Sequence, residues 1–251
     1  MRIAIAGGTG VVGRYLVGAL REAGHEVLVL TRSTGFDLME ASGLSTTLTG
    51  VDAVVDASGP AGSSGTASVR FFTTVTSNLL RAEEEAGVQH HVALSIVGAA
   101  KINAGYYAGK KAQENLVSAA DIPWTILRAT QFHEFAAQLI PRGRVGPIQA
   151  VPAMRSQPIA AAEVAAVLAE TATGDAQGLL PELAGPKEER MSELVRRYLR
   201  ATGDDRPVLE VRVPGAWWRG LRDGSCLPGP GARLGKQTFS EWLVSAKGAR
   251  R

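Results

Sequence analysis

The chain has 251 residues, 45% of them hydrophobic and 20% charged, with a formal net charge of +3 at pH 7. That length can bury a full core, the composition excludes a disordered or fibrous chain, and a small charge without a basic run argues against a nucleic-acid partner. A single cysteine, Cys226, excludes an internal disulfide and leaves no material for a Cys/His metal cluster.

No apolar stretch approaches the roughly 18 residues of a membrane span, and a first strand at Arg2 or Ile3 leaves no segment for a signal peptide. The expectation is a cytoplasmic protein with a small-molecule substrate and no membrane partner. In chain order, Ile3 to Ala6 reads as a buried strand. Val11, Val12, Tyr15, Leu16, Ala19 and Leu20 recur at helical spacing until Gly24. His25–Leu30 is a second strand, Met39–Leu48 a short helix-like stretch, Val51–Ala57 a third strand and Thr66–Ala86 a long helix stopped by Gly87. His91–Ser95 reads as a strand, Ala104–Ala119 as a helix, and Trp124–Arg128 as a strand after the break at Pro123. Such alternation predicts an α/β fold with a parallel sheet and right-handed crossovers. Prolines and glycines punctuate 140–159, helices follow near Ala161–Thr171 and Glu188–Thr202, Leu227–Gly235 reads as an exposed loop, and Phe239–Ser245 as a last helix. There is no internal repeat. Residues 1–135 are expected to form the nucleotide-binding core, and 136–251 to complete it and form a smaller substrate lobe.

The joint between the first strand and helix carries the chemistry. Gly8-Thr9-Gly10-Val11-Val12-Gly13 is a G-x-G-x-x-G string, and Gly7, Gly10 and Gly13 overlap it with a second glycine spacing. Glycines here permit the turn, let the main chain approach a diphosphate and let the helix close onto the strand, while amides at the helix start receive the phosphates. The second strand ends in Thr31-Arg32-Ser33 with no acid to take the ribose hydroxyls. A guanidinium suits a 2′-phosphate, so Arg32, helped by Ser33, favours NADP(H) over NAD(H). Asp37 fits either the adenine edge or an N-cap. Asp56 precedes Ala57-Ser58-Gly59 at a strand's C-terminal end, where small residues would lie against a cofactor, and Asp56 itself can simply cap that loop.

Ser95 closes a strand, and Tyr106 and Lys110 stand one turn apart on the helix after it. A tyrosine beside an ammonium can exchange a proton with a carbonyl oxygen, and a serine can steady that oxygen. Tyr107 and Lys111 share the spacing, and the residues alone do not separate the two pairs. Gln131, Phe132 and Phe135 follow the strand ending at Arg128 and are expected to wall a substrate cleft, with Trp217 and Trp218 as a lid. His133 reads as packing, Cys226 as incidental, and Arg142, Arg144 and Arg155 as loop arginines able to meet an acidic substrate group.

The glycine turn, Ser95-Ile96-Val97-Gly98, Tyr106 through Glu114 and Pro123–Arg128 together resemble an atypical short-chain dehydrogenase/reductase of the NmrA-like, NAD(P)H-binding group. The likeness covers most of the chain and is strongest to about residue 135. It implies a Rossmann doubly wound parallel sheet of six or seven strands with a C-terminal lobe over a substrate cleft. It further implies Gly7, Gly10 and Gly13 on the diphosphate, Arg32 on the 2′-phosphate, and Ser95, Tyr106 and Lys110 as the reductase triad, with Tyr106 favoured over Tyr107. Ala6 departs from it, standing where many members carry threonine. An NADP(H)-dependent oxidoreductase for an apolar carbonyl or quinone-like substrate is thereby implied. The alternatives are a redox-sensing NADP(H)-binding regulator without turnover, since the group includes such members, and a nucleotide-sugar epimerase or dehydratase.

Overall fold

The computed structural model describes residues 1–60 and 65–248. In chain order the elements are β1 (Arg2–Ala6), α1 (Gly13–Glu22), β2 (Glu26–Leu30), a 3₁₀ turn (Arg32–Thr34), α2 (Leu44–Thr47), β3 (Ala53–Asp56), α3 (Gly65–Ala86), β4 (His90–Ile96), α4 (Gly105–Ser118) and β5 (Trp124–Ala129). Beyond these come α5 (Phe135–Gly143), β6 (Arg144–Val145), β7 (Ile148–Pro152), β8 (Arg155–Ser156), α6 (Ala161–Ala172), β9 (Gly178–Leu179) and β10 (Leu183–Ala184). The chain closes with β11 (Glu189–Arg190), α7 (Met191–Ala201), β12 (Val208–Val211), α8 (Ala216–Arg222), β13 (Arg233–Leu234) and α9 (Phe239–Gly248).

The main sheet runs β13-β10-β5-β4-β3-β1-β2, every pairing parallel, and β9 shares with β10 the same edge of β5. Seven strand positions therefore form a Rossmann-like sheet, as the resemblance implied. β1 shows why it is two-sided. Ile3 and Ile5 enter the cluster of Leu16, Leu20, Val164 and Leu168 from α1 and α6, while Ala4 and Ala6 enter the opposite cluster of Leu44, Leu48, Val75 and Leu79 from α2 and α3. Large residues on one face and small ones on the other suit a strand buried on both sides. A third cluster joins Tyr107, Leu139, Met154, Leu194, Tyr198, Leu221 and Phe239, beyond the β4 and β5 ends. The chain passes from β1 to β2 on one side and, through β3, to the other. That reversal opens a crevice at the C-terminal ends of β1 and β3.

Several expectations need correction. The helix expected over Met39–Leu48 contracts to Leu44–Thr47, because Gly43 adopts φ +72° and Asp37 closes a separate turn by accepting the Met39 amide at 3.0 Å. Helix α1 starts at Gly13, with Val11 and Val12 still in the turn. Helix α7 starts at Met191 because Glu189 and Arg190 pair antiparallel with Ser156 and Arg155. The 227–235 loop is not wholly a loop, since Arg233 and Leu234 form an edge strand against β10. Helix α5 and the small sheet β12-β7-β6 lie in the stretch read only as punctuated, and Pro141 is tolerated within the last turn of α5. Among the described residues no helix is long and apolar enough to cross a membrane.

Candidate active site

Chain direction reverses immediately after β1. Gly7 sits at φ +79°, a conformation that side chains resist, and a Cβ there would come within 2.8 Å of the Ala57 carbonyl oxygen and Ser58 Cα. The Gly7 amide donates to the Leu30 carbonyl at 3.2 Å, and the Gly10 amide to the Gly7 carbonyl at 2.9 Å. That same carbonyl touches the start of the helix: a Cβ on Gly13 would lie 2.2 Å from it. No side chain caps α1 and no acid occupies its first turn. Among the described residues the amides of Val11 and Val12 find no acceptor. Free amides at a helix start, over backbone packed too closely for any side chain, make an anion cradle. Thr9 and Gly10 are exposed at its tip, whereas the side chains of Val11 and Val12 belong to the core, so their contribution there is from the main chain.

The neighbouring loops converge on this turn. Arg32 is exposed just beyond β2 and forms no ion pair among the described residues. Its turn is tied by Thr34, whose hydroxyl donates to the Val29 carbonyl at 2.8 Å, and by a 3.0 Å contact between the Ser33 and Thr31 hydroxyls. Asp37 is exposed and caps no helix. At the end of β3, Ala57 hydrogen bonds back to Ala6, and the buried Asp56 carboxylate accepts the Ser58 amide at 2.9 Å.

Helix α4 lies across the same crevice. Tyr106 is half-buried and turns its hydroxyl toward the β3 loop: a Cβ on Gly59 would stand 3.7 Å from it. Burial first, and the Asp56 charge second, push its pKa above the usual phenol value, so Tyr106 keeps its proton. Tyr107, one residue on and about 100° around the helix, points elsewhere. It is 3% exposed and its hydroxyl accepts from Gln131 Nε2 at 2.8 Å. Lys110 is buried, with Nζ 5.9 Å from the centre of the Tyr106 ring and 4.2 Å from that of Phe72. It donates to the Leu94 carbonyl at 2.7 Å and to Gln113 Oε1 at 2.8 Å. Burial pulls its pKa down to about 8, opposed by the charges of Asp56 and then Glu114. Ser95 is placed differently. Its hydroxyl donates to Glu114 Oε1 at 2.5 Å, and Glu114 is held by Arg128 through two hydrogen bonds of 2.8 and 2.6 Å. Tyr106 and Lys110 thus come together. Ser95 belongs to an adjoining ion-pair cluster, with no hydrogen bond among the three.

The residues expected to wall a cleft divide. Tyr106, Phe135 and Trp217 share one apolar cluster with Ile96 and Ile102, and the Trp217 indole lies on Gly105, where a Cβ would come within 2.8 Å of it. Trp218 stacks on Trp217 at 4.6 Å. Phe132 instead joins the cluster holding Val12, and Gln131 is occupied between the Tyr107 and Ser156 hydroxyls. His133 donates to the Gln237 carbonyl and packs against Phe239 and Trp242. Burial pushes the Cys226 thiol up to about 12, and Arg155 is paired with Glu188 at the surface. Gln113, Glu114 and Arg128 organise this region, and the sequence reading gives them no role; the Lys-x-x-Gln spacing on α4 signals Gln113 alone.

The model of the NAD(P)H-binding family matches residues 34–175, more than half of the chain, beginning after the glycine turn. The photosystem II assembly factor Ycf39 of Synechocystis sp. is 29% identical over 147 residues, which is 53% of this chain and 45% of that protein, so the match spans about half the length of this relative. The NADPH complex of an Escherichia coli NADPH-dependent quinone oxidoreductase superposes with a TM-score of 0.71 at 18% identity, covering 98% of this chain and 99% of that one. The NAD complex of Thermus thermophilus UDP-glucose 4-epimerase gives 0.71 at 18%, covering 98% of each chain. At such identities the two structures establish the fold alone.

Proposed function

The chain belongs to the NAD(P)H-binding family, and on that premise we propose that it is an NADP(H)-dependent oxidoreductase reducing a small, apolar carbonyl or quinone-like substrate. The cradle fits a dinucleotide: its amides are free, its helix start is uncapped, and glycine at 7 and 13 lets the turn pack on its own backbone where no side chain could stand, which keeps those amides at the loop surface. The Val11, Val12 and Gly13 amides receive the diphosphate, and Arg32, exposed beyond β2, pairs with a 2′-phosphate. When bound, the nicotinamide supplies the hydride. Tyr106 donates its proton to the developing alkoxide oxygen, and the neighbouring Lys110 ammonium stabilises the phenolate left behind. Phe135 and Trp217 exclude water and favour an apolar substrate.

One observation carries the reading: the Tyr106 hydroxyl, not that of Tyr107, faces the β3 loop beside the glycine turn. Tyr106→Phe tests it. Turnover of NADPH with a 1,4-quinone should fall at least about 100-fold with NADPH affinity retained, and unchanged turnover would refute the assignment. A cofactor-sensing regulator without turnover is the second reading, favoured by the commitment of Ser95 to Glu114, which leaves the three reductase residues unlinked. It predicts NADPH binding with no consumption by any carbonyl or quinone.

A further inference from the structure

Three polar side chains form one buried chain between β3 and α4. Asp56 and Gln113 are wholly buried and Lys110 is 2% exposed. Asp56 Oδ2 accepts from Gln113 Nε2 at 2.7 Å, and Gln113 Oε1 accepts from Lys110 Nζ at 2.8 Å. A carboxylate only accepts and an ammonium only donates, so the amide fits between them one way round. A second Nζ proton goes to the Leu94 carbonyl at 2.7 Å, leaving the third for the face of Phe72. With the other Asp56 oxygen on the Ser58 amide, no end of the chain is loose.

We propose that Gln113 is a positioning residue of this site: its amide couples the Asp56 carboxylate to Lys110 and so keeps the lysine an ammonium, with its charge beside Tyr106. The groups facing Lys110 are Asp56 from β3, Tyr106 and Glu114 on its own helix, the Leu94 carbonyl from β4 and the Phe72 ring from α3. The buried Glu83–His91 pair in turn interacts with Asp56. Burial works against the charge on Lys110, and Asp56 is the largest opposing influence. Among the described residues Gln113 is the only side chain that bonds both. The catalytic consequence rests on the role of Tyr106 proposed above; the charge state of Lys110 does not.

The test reads that charge state without cofactor or substrate. Protein labelled with ¹³C at lysine Cε is titrated by NMR, and the Lys110 resonance is identified among the six lysines by its loss in Lys110→Arg. Gln113→Met, which keeps side-chain length but removes both hydrogen bonds, should titrate Lys110 about one pH unit below wild type. Gln113→Glu, which keeps an oxygen facing Nζ, should titrate it at or above the wild-type value, and this variant decides alone if the first does not fold. An unmoved Lys110 in Gln113→Met, or a fall in Gln113→Glu, overturns the proposal. Either result stands whether or not Tyr106→Phe abolishes turnover, so the two readings fail separately.

Discussion

Helix α1 carries two glycines whose replacement should have opposite results, Gly13 at its start and Gly18 within it. A Cβ on Gly13 would lie 2.2 Å from the Gly7 carbonyl oxygen and 2.7 Å from Gly8 Cα, where real contacts of this kind do not fall below 3.0 Å, so turn or helix must give by about 0.8 Å. Overpacking of that kind costs about 1–3 kcal/mol, and displacing the Gly7 carbonyl loosens its bond from the Gly10 amide, worth about 0.5–1.5 kcal/mol. Improved helix propensity returns at most about 1 kcal/mol. The larger effect falls on binding. Misaiming one amide that meets an ionised phosphate, worth about 1.5–3 kcal/mol, should weaken NADPH binding about 10-fold to 100-fold in Gly13→Ala. A Cβ on Gly18 meets nothing within 4 Å. Gly18→Ala should therefore bind NADPH normally and unfold at a higher temperature, by about 0.5–1 kcal/mol of added stability. Fluorescence titration and thermal melts on both variants read the two effects. Wild-type affinity in Gly13→Ala would refute the argument that this turn is the cofactor cradle.

Arg32→Ala should weaken NADPH about 10-fold to 100-fold and leave NADH unchanged, because only the 2′-phosphate meets the guanidinium; equal losses for both would remove that role, and the same titration distinguishes them. Stability should also depend on pH through the buried Glu83–His91 pair, 2.9 Å apart with neither side chain exposed. Burial raises the Glu83 pKa, with His91 only partly offsetting it; burial would lower His91, but Glu83, helped by Asp56, outweighs it and raises it above 6.5. Both folded groups bind protons that the unfolded chain has released, so this contribution is complete below their unfolded pKa values and is lost as pH rises through the folded ones. Thermal melts between pH 6.5 and 8 should show stability falling with pH, and Glu83→Gln should abolish that fall; an unchanged slope in Glu83→Gln contradicts it. Above pH 8 Lys110, pulled down by burial, contributes in the opposite sense.

Much of this was legible because it repeats. The strands β1 to β5 and the helices α1, α3 and α4 have enough residues for apolar periodicity to show, and their bounds lie within a few residues of the reading. Strands β9, β10 and β13 have two residues each, too few for any period, and the sheet they join lies far away in sequence. Helix α5 was hidden by Pro141, which reads as a stop but falls in its last turn. At the site, glycine spacing located the turn because the constraint is local. Adjacent tyrosines could not be told apart from spacing, since what separates Tyr106 from Tyr107 is the distant Gln131 that holds the second. Nor could sequence show that Ser95 is bonded to Glu114, a partner that on an amphipathic helix reads as a solvated carboxylate until Arg128 is brought beside it.

The central claim is that the loop after β1 holds the diphosphate of a nicotinamide dinucleotide. Titration calorimetry of the purified protein with NADPH, NADP⁺, NADH and NAD⁺ tests it directly. Saturable one-site binding, tighter for the two forms that carry a 2′-phosphate and weakened in Gly13→Ala, is the predicted result; no binding of any of the four would contradict it.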